Sequence, residues 1–212
     1  LEVIKMYDFI KTFLLCIFGN EFNYHGVHQK YYETWWKMSF VYSIAYCLII
    51  YILNAYMRNR LPIKTRLPLI IWNACLALFS ICCTYHSAIE FWYILKNFGF
   101  KATYCQLLDS TTFPNIPYWV WLFMLSKVVE FGDTIFIILR KQPLIFLHYY
   151  HHITVMLFVW YTFPQNTATA RWYVGMNAMV HSVMYSYYFL KACRFNINKK
   201  ISQFVTSLQI IQ

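Results

Sequence analysis

The chain has 212 residues, 60% of them hydrophobic and 22% aromatic, with only 12% charged, against roughly 25% charged residues in an ordinary soluble domain. This composition excludes a soluble globular protein and points to one embedded in a bilayer. The formal net charge of +10 invites a nucleic-acid reading, but the basic residues lie in short loops between apolar runs and form no basic face on a polar domain, so nucleic acid is not an expected partner.

Residues 1–34 mix Phe, Leu and Ile with charges and read as an amphipathic segment on the lumenal membrane surface, with His25 and His28 as ordinary surface side chains. From residue 35 to 212 the chain reads as one transmembrane domain without internal repeats. A spanning helix needs about 20 mostly apolar residues. Such runs fall at 35–56, 67–95, 118–139, 144–163 and 172–193, and a sixth begins at 201. The start at Leu1 and the stop inside the apolar "ISQFVTSLQIIQ" suggest a segment of a longer protein.

The loops "MRNRLPIKTR", "RKQP" and "KACRFNINKK" are strongly basic, whereas "KNFGFKATYCQLLDSTTFPNIP" and "PQNTATAR" are poorer in Lys and Arg. The alternation puts the basic loops in the cytosol. Cys105 then lies in a lumenal loop, where disulfides persist, and is expected to pair with a cysteine outside these residues. The other cysteines lie mostly in apolar stretches, and no zinc spacing or CxxC occurs.

Ionisable groups inside hydrocarbon are costly and mark function. The third run contains "KVVEFGDT", which puts Lys127, Glu130, Asp133 and Thr134 on one helical face. The fourth opens with "HYYHH", so that His148, His151 and His152, spaced i, i+3 and i+4, are expected to point into the bundle. The fifth carries Asn177 and His181 at i,i+4, then Tyr185, Tyr187 and Tyr188; the sixth repeats Thr206, Gln209 and Gln212. One polar face could be interhelical glue worth about 1 kcal/mol per bond. Four in succession point to an enclosed polar chamber. His86 and Glu90 form a further i,i+4 pair that is equally well structural.

Four clustered histidines are too few for two irons, though one zinc stays open. The five isolated glycines form neither GxGxxG nor a P-loop. No cofactor or resident metal is therefore expected, and imidazole is left as acid, base or nucleophile.

In the order and spacing of "KVVEFGDT", "HYYHH", "NAMVHSVMYSYY" and "TSLQIIQ", the sequence resembles the fatty acid elongases of the endoplasmic reticulum, the 3-oxoacyl-CoA synthases. The run "FGDTIFIILRKQPLIFLHYYHHITV" is most similar to the branch acting on saturated and monounsaturated medium-to-long chains. The resemblance implies an all-α polytopic membrane protein whose helices ring a substrate tunnel, with six spans in this chain and a seventh missing. It implies condensation of a long-chain acyl-CoA with malonyl-CoA to 3-oxoacyl-CoA, CO2 and CoA. The tunnel mouth would face the cytosol, and reductases and a dehydratase would complete the cycle as partners; homodimerisation is left open. An intramembrane His-ligated metalloenzyme and a non-catalytic lipid transporter or receptor are the rival readings.

Within this reading His151 is the expected nucleophile, forming an acyl-imidazole, and His181 assists malonyl activation. His148 and His152 position the ring or donate hydrogen bonds, Asp133 or Glu130 fixes a tautomer, and Asn177, Gln209 and Gln212 suit carbonyls and oxyanions. Lys127 is expected to pair with Glu130 or Asp133, and counts with Arg140, Lys141, Tyr188, Lys199 and Lys200 as a contact on the CoA side.

Overall fold

The computed structural model describes residues 36–107, 112–113 and 115–212. The expected surface segment at 1–34 lies outside them. Regular structure among the described residues is helical: α1 (Met38–Met57), α2 (Arg66–Phe98), α3 (Ala102–Cys105), α4 (Asn115–Val129), α5 (Gly132–Leu139), α6 (Phe146–Thr162), α7 (Ala170–Ala192) and α8 (Lys199–Ile211), with a 3-10 turn at Phe163–Gln165.

The helices are inside-out by the standard of a soluble protein. α1 buries Ser39, Ser43, Tyr46 and Met57, while Val41, Ile44, Leu48, Ile49 and Ile52 are exposed. α2 buries Asn73, Ser80 and Glu90 and exposes Leu67, Ile71, Leu78 and Trp92. Water would penalise such surfaces, whereas lipid favours them. Both helices are long and apolar enough to cross a bilayer. The 33 residues of α2 extend about 50 Å, which exceeds a hydrocarbon core of about 30 Å, so α2 tilts or projects beyond it.

α6, α7 and α8 coincide with three further expected runs. The run at 118–139, expected as one helix, is broken at Glu130 and Phe131 between α4 and α5. Around the break the amides of Phe131, Asp133 and Thr134 bond carbonyls three residues back instead of four, a tightened turn of the kind that interrupts helices at functional positions. Gly132, a weak helix former, permits the break. The side chain of Asp133 is drawn sideways to two other helices.

α7 packs along α2, α1 and α4 pack against α6, and α5 packs against α1. One core joins Tyr46, Trp121, Phe123, Met124, Met156 and Trp160, and Trp160 Nε1 donates to the Met124 carbonyl at 3.0 Å. A second core joins Leu76, Ala77, Met184, Tyr185, Tyr187 and Val205 from α2, α7 and α8. At the basic end, Arg66 donates to the carbonyls of Ala192 and Cys193 at 3.1 and 3.4 Å, satisfying groups that the end of α7 leaves open.

At the opposite end Arg171 is a buried latch. Its Nε and Nη2 donate to Glu90 Oε1 at 3.0 and 2.9 Å, and Nη1 donates to the Thr103 carbonyl at 2.7 Å. The i,i+4 pairing of His86 with Glu90 does not form: His86 instead stacks on Trp119, ring centroids 4.8 Å apart. Cys105, beside the latch, is an exposed free thiol. Replacing Arg171 by Met leaves the Glu90 carboxylate buried and unpaired, a loss of about 3–5 kcal/mol. Arg171→Met is thus expected to lower the thermal midpoint of the solubilised protein, and adding Glu90→Gln should recover most of the loss.

Candidate active site

The Lys127–Thr134 block lies across the α4–α5 break and faces α7, α1 and α6. Lys127 is only 2% exposed. Its Nζ donates to Glu130 Oε1 at 2.7 Å and to Asn177 Oδ1 at 2.8 Å, and lies 4.3 Å from the Phe123 ring centroid. Ser126 Oγ adds a bond to the same Glu130 oxygen at 3.0 Å. His181 Nδ1 stands 3.6 Å from that oxygen, and Asn177 Nδ2 is 3.2 Å from His181 Nε2. A cation, an anion, an amide and an imidazole thus form one closed, buried circuit. Of the two partners expected for Lys127, Glu130 or Asp133, it pairs with Glu130. As a CoA contact, however, Lys127 is out of position, being enclosed and not at the basic end.

Asp133 makes a different connection. Its Oδ1 accepts from Trp72 Nε1 at 2.6 Å and its Oδ2 from the Tyr185 hydroxyl at 2.7 Å. Neutral donors from α2 and α7 therefore hold both oxygens. Tyr185 in turn sets its ring against His181, centroids 5.5 Å apart. Thr134 Oγ1 meets the Tyr46 hydroxyl at 2.6 Å and His148 Nε2 at 2.9 Å, linking α1, α5 and α6.

The three histidines of α6 divide. His148 and His152 lie on the inner side, ring centroids 4.6 Å apart, with His152 beside the stacked pair of Tyr46 and Phe131, at 6.3 and 6.2 Å. His151 is exposed, its centroid 5.9 Å from His152, and among the described residues its ring makes no hydrogen bond. It remains within electrostatic range of His181, Lys127 and Glu130. The reason is helical rotation at about 100° per residue: His148 and His152 lie about 40° apart around the helix, whereas the adjacent His151 and His152 lie about 100° apart, so an inner face centred on His148 and His152 leaves His151 at its edge. Among the described residues no three His, Cys, Asp or Glu side chains converge as a metal-ligand set.

The sixth polar run is not enclosed. Val205 is the buried residue of α8, and Thr206, Gln209 and Gln212 are exposed, although Gln209 Nε2 reaches Met184 Sδ at 2.8 Å. Arg140, Lys141, Tyr188, Lys199 and Lys200 are exposed at the basic end. Sequence reasoning missed Trp72, Tyr46 and Ser126. The first two had a signal: a Trp or Tyr inside an apolar helix brings a donor that must find a partner. At the far end a cavity of about 240 Å3 opens between α2, α4, α6 and α7, lined by Val120, Phe123, Val159 and Val174 and reaching Glu90 and Arg171.

Helices with lipid-suited surfaces around a histidine-rich polar interior, basic at one end and hollow at the other, define a membrane-embedded helical protein with an internal site. The chain belongs to the ELO family, GNS1/SUR4, which matches residues 31–212. It is 46% identical over 195 residues to very long chain fatty acid elongase 6 of Drosophila melanogaster, covering 92% of this chain and 61% of that protein. It is 42% identical over 184 residues to long chain fatty acid elongase 1 of Caenorhabditis elegans, covering 87% and 64%. It is 42% identical over 195 residues to very long chain fatty acid elongase 6 of Homo sapiens, covering 92% and 73%. The chain thus spans less than two thirds of the length of the first two relatives.

Proposed function

We propose that the protein is a 3-oxoacyl-CoA synthase of fatty acid elongation, condensing a long-chain acyl-CoA with malonyl-CoA in the endoplasmic reticulum membrane, with its mouth toward the cytosol. The observation that carries this reading is the axial order of the site. The basic residues Arg140, Lys141, Lys199 and Lys200 lie at one end, the histidines of α6 and α7 lie between, and the apolar cavity beside Val120, Phe123 and Val174 lies at the other. An acyl-CoA has the same order: phosphates, thioester, hydrocarbon. The elongase names of the relatives support the same reaction class.

In the reaction proposed, an imidazole nitrogen of His151 attacks the acyl carbonyl. The nitrogen–carbon bond forms as the carbon–sulfur bond breaks, and CoA leaves as the thiol with the imidazole proton. Malonyl-CoA then loses CO2, its enolate carbon attacks the acyl carbon, and the nitrogen–carbon bond to His151 breaks as the new carbon–carbon bond forms, the departing imidazole taking up one proton from water. Splitting the transfer this way lets the first CoA vacate a single mouth before the second enters. His151 suits the first step because its ring has no competing hydrogen bond among the described residues. No redox step occurs, so no redox cofactor is called for. Six spans, a seventh helix beyond this chain, and partner reductases and a dehydratase belong to the same proposal.

Incubating the full-length protein with palmitoyl-CoA and labelled malonyl-CoA should yield a 3-oxoacyl-CoA two carbons longer without NADPH. Folded protein that binds acyl-CoA but releases no CO2 across a panel of primers would instead indicate a transporter or receptor. Lys199→Ala/Lys200→Ala is expected to raise KM for the CoA substrates more than it lowers kcat, because phosphate contacts persist from ground state to transition state; an unchanged KM would move the phosphate site elsewhere.

A further inference from the structure

We infer that Lys127 is a positioning residue that fixes the tautomer of His181 through the side-chain amide of Asn177. The inference rests on the condensing-enzyme reading for its catalytic consequence and on geometry alone for the tautomer.

An ammonium group has three donors and no acceptor. The Asn177 atom 2.8 Å from Lys127 Nζ must therefore be the carbonyl oxygen, so the other arm of the amide is the NH2 group. That arm lies 3.2 Å from His181 Nε2 and can only donate. His181 Nε2 must then present its lone pair, which leaves the ring proton on Nδ1, the nitrogen facing the Glu130 carboxylate at 3.6 Å. The Nδ1–H form is the one that a carboxylate on that side favours. Turning the Asn177 amide over would set its NH2 against the lysine, donor against donor, and Lys127 blocks that alternative.

Lys127 is enclosed and is not placed to meet a substrate. Its donors reach Glu130 and Asn177, and the ammonium lies over Phe123. Its neighbours also explain why a cation is used. A neutral donor would satisfy Asn177 but would leave the Glu130 carboxylate buried and uncompensated. One lysine thus balances the charge of Glu130 and orients Asn177, and both act on the same imidazole. In the condensation, an Nε2 lone pair held ready on His181 can accept a proton once substrate displaces the amide. The other tautomer would offer a proton there instead.

The test is to read the His181 tautomer directly. Full-length protein labelled with nitrogen-15 and carbon-13 histidine is examined by NMR in detergent micelles, and the His181 signal is identified by its loss in His181→Asn. Wild type should show the Nδ1–H form. Lys127→Met should give a mixture or the Nε2–H form, and Lys127→Arg, which still only donates, should keep Nδ1–H. If Lys127→Met does not fold, Lys127→Met/Glu130→Gln restores charge balance and is read against Glu130→Gln alone. Activity supplies a second readout, with kcat about 100-fold lower and KM for acyl-CoA nearly unchanged in Lys127→Met. An Nε2–H signal in wild type, or an undisturbed Nδ1–H signal without Lys127, would overturn the assignment. Because the spectrum needs no turnover, an inactive wild type with a Lys127-dependent tautomer would sink the condensing-enzyme reading and leave this one standing.

Discussion

His151→Ala is expected to lower condensation by about 10³-fold or more, and to abolish formation of an acyl-enzyme. Acyl-CoA alone, added to the wild-type protein, should release about one equivalent of free CoA as a burst, and intact mass should increase by one acyl group. Both signals should vanish in His151→Ala. The change should cost little stability, since His151 is exposed and its ring makes no hydrogen bond among the described residues. His148→Ala differs: it removes the partner of Thr134 and, through it, of Tyr46, so it should weaken both fold and rate. Absence of any adduct, with CoA appearing only after malonyl-CoA is added, would rule out the two-step route and leave His151 as a base or donor.

The second large effect is expected at a residue with no side chain. A Cβ on Gly132 would lie 2.5 Å from two atoms of the Trp72 indole, closer than any tolerated contact, and the indole is a rigid plate. Gly132→Ala must therefore displace Trp72 and break its 2.6 Å bond to Asp133. Overpacking of this kind costs about 1–3 kcal/mol, and a shift of about 1 Å in the residues that set His181 should lower kcat about 100-fold. Trp72→Phe separates the two contributions. In the Gly132→Ala background the smaller ring should restore much of the stability without restoring the indole donor, so the rate should stay low. Thermal unfolding and kcat, measured on the four variants of this cycle, check both statements. Equal stability of Gly132→Ala and wild type would contradict the packing reading.

The polar blocks were legible in the sequence because a bilayer makes polarity conspicuous: Lys127, Glu130, His151 and His181 stand out in runs of Ile, Leu and Phe. Their local pairings were legible too where a helix continues, as for Lys127 and Glu130 at i,i+3. Partners far apart in the chain were not. Nothing in the spacing joins Lys127 to Asn177 or Glu90 to Arg171, because tertiary packing alone decides which helix faces which. Glu90 shows the hazard, since His86 offered a plausible local partner and Trp119 took it. The break at Glu130 and Phe131 was hidden for another reason: the apolar run continues through it, and hydropathy does not register how a backbone is bonded. The expected single face consequently holds for Lys127 and Glu130, while Asp133 and Thr134 turn to other helices.

That break also changes the electrostatics of the lipid-embedded charges. A continuous helix has its partial charges at two distant ends and nothing in the middle. Interrupted here, it gains a negative terminus at the end of α4, where Lys127 occupies the last turn, and a positive terminus at the start of α5, where Asp133 occupies the first. Each charge meets a macrodipole of the opposite sign, a contribution of about 0.3–1 kcal/mol apiece that grows in partly buried settings. A bilayer offers no salt and little water to screen these fields. The backbone thus adds a small share to what Glu130 and Asn177 do for the cation and Trp72 and Tyr185 do for Asp133, and a mutation that mended the helix would remove that share.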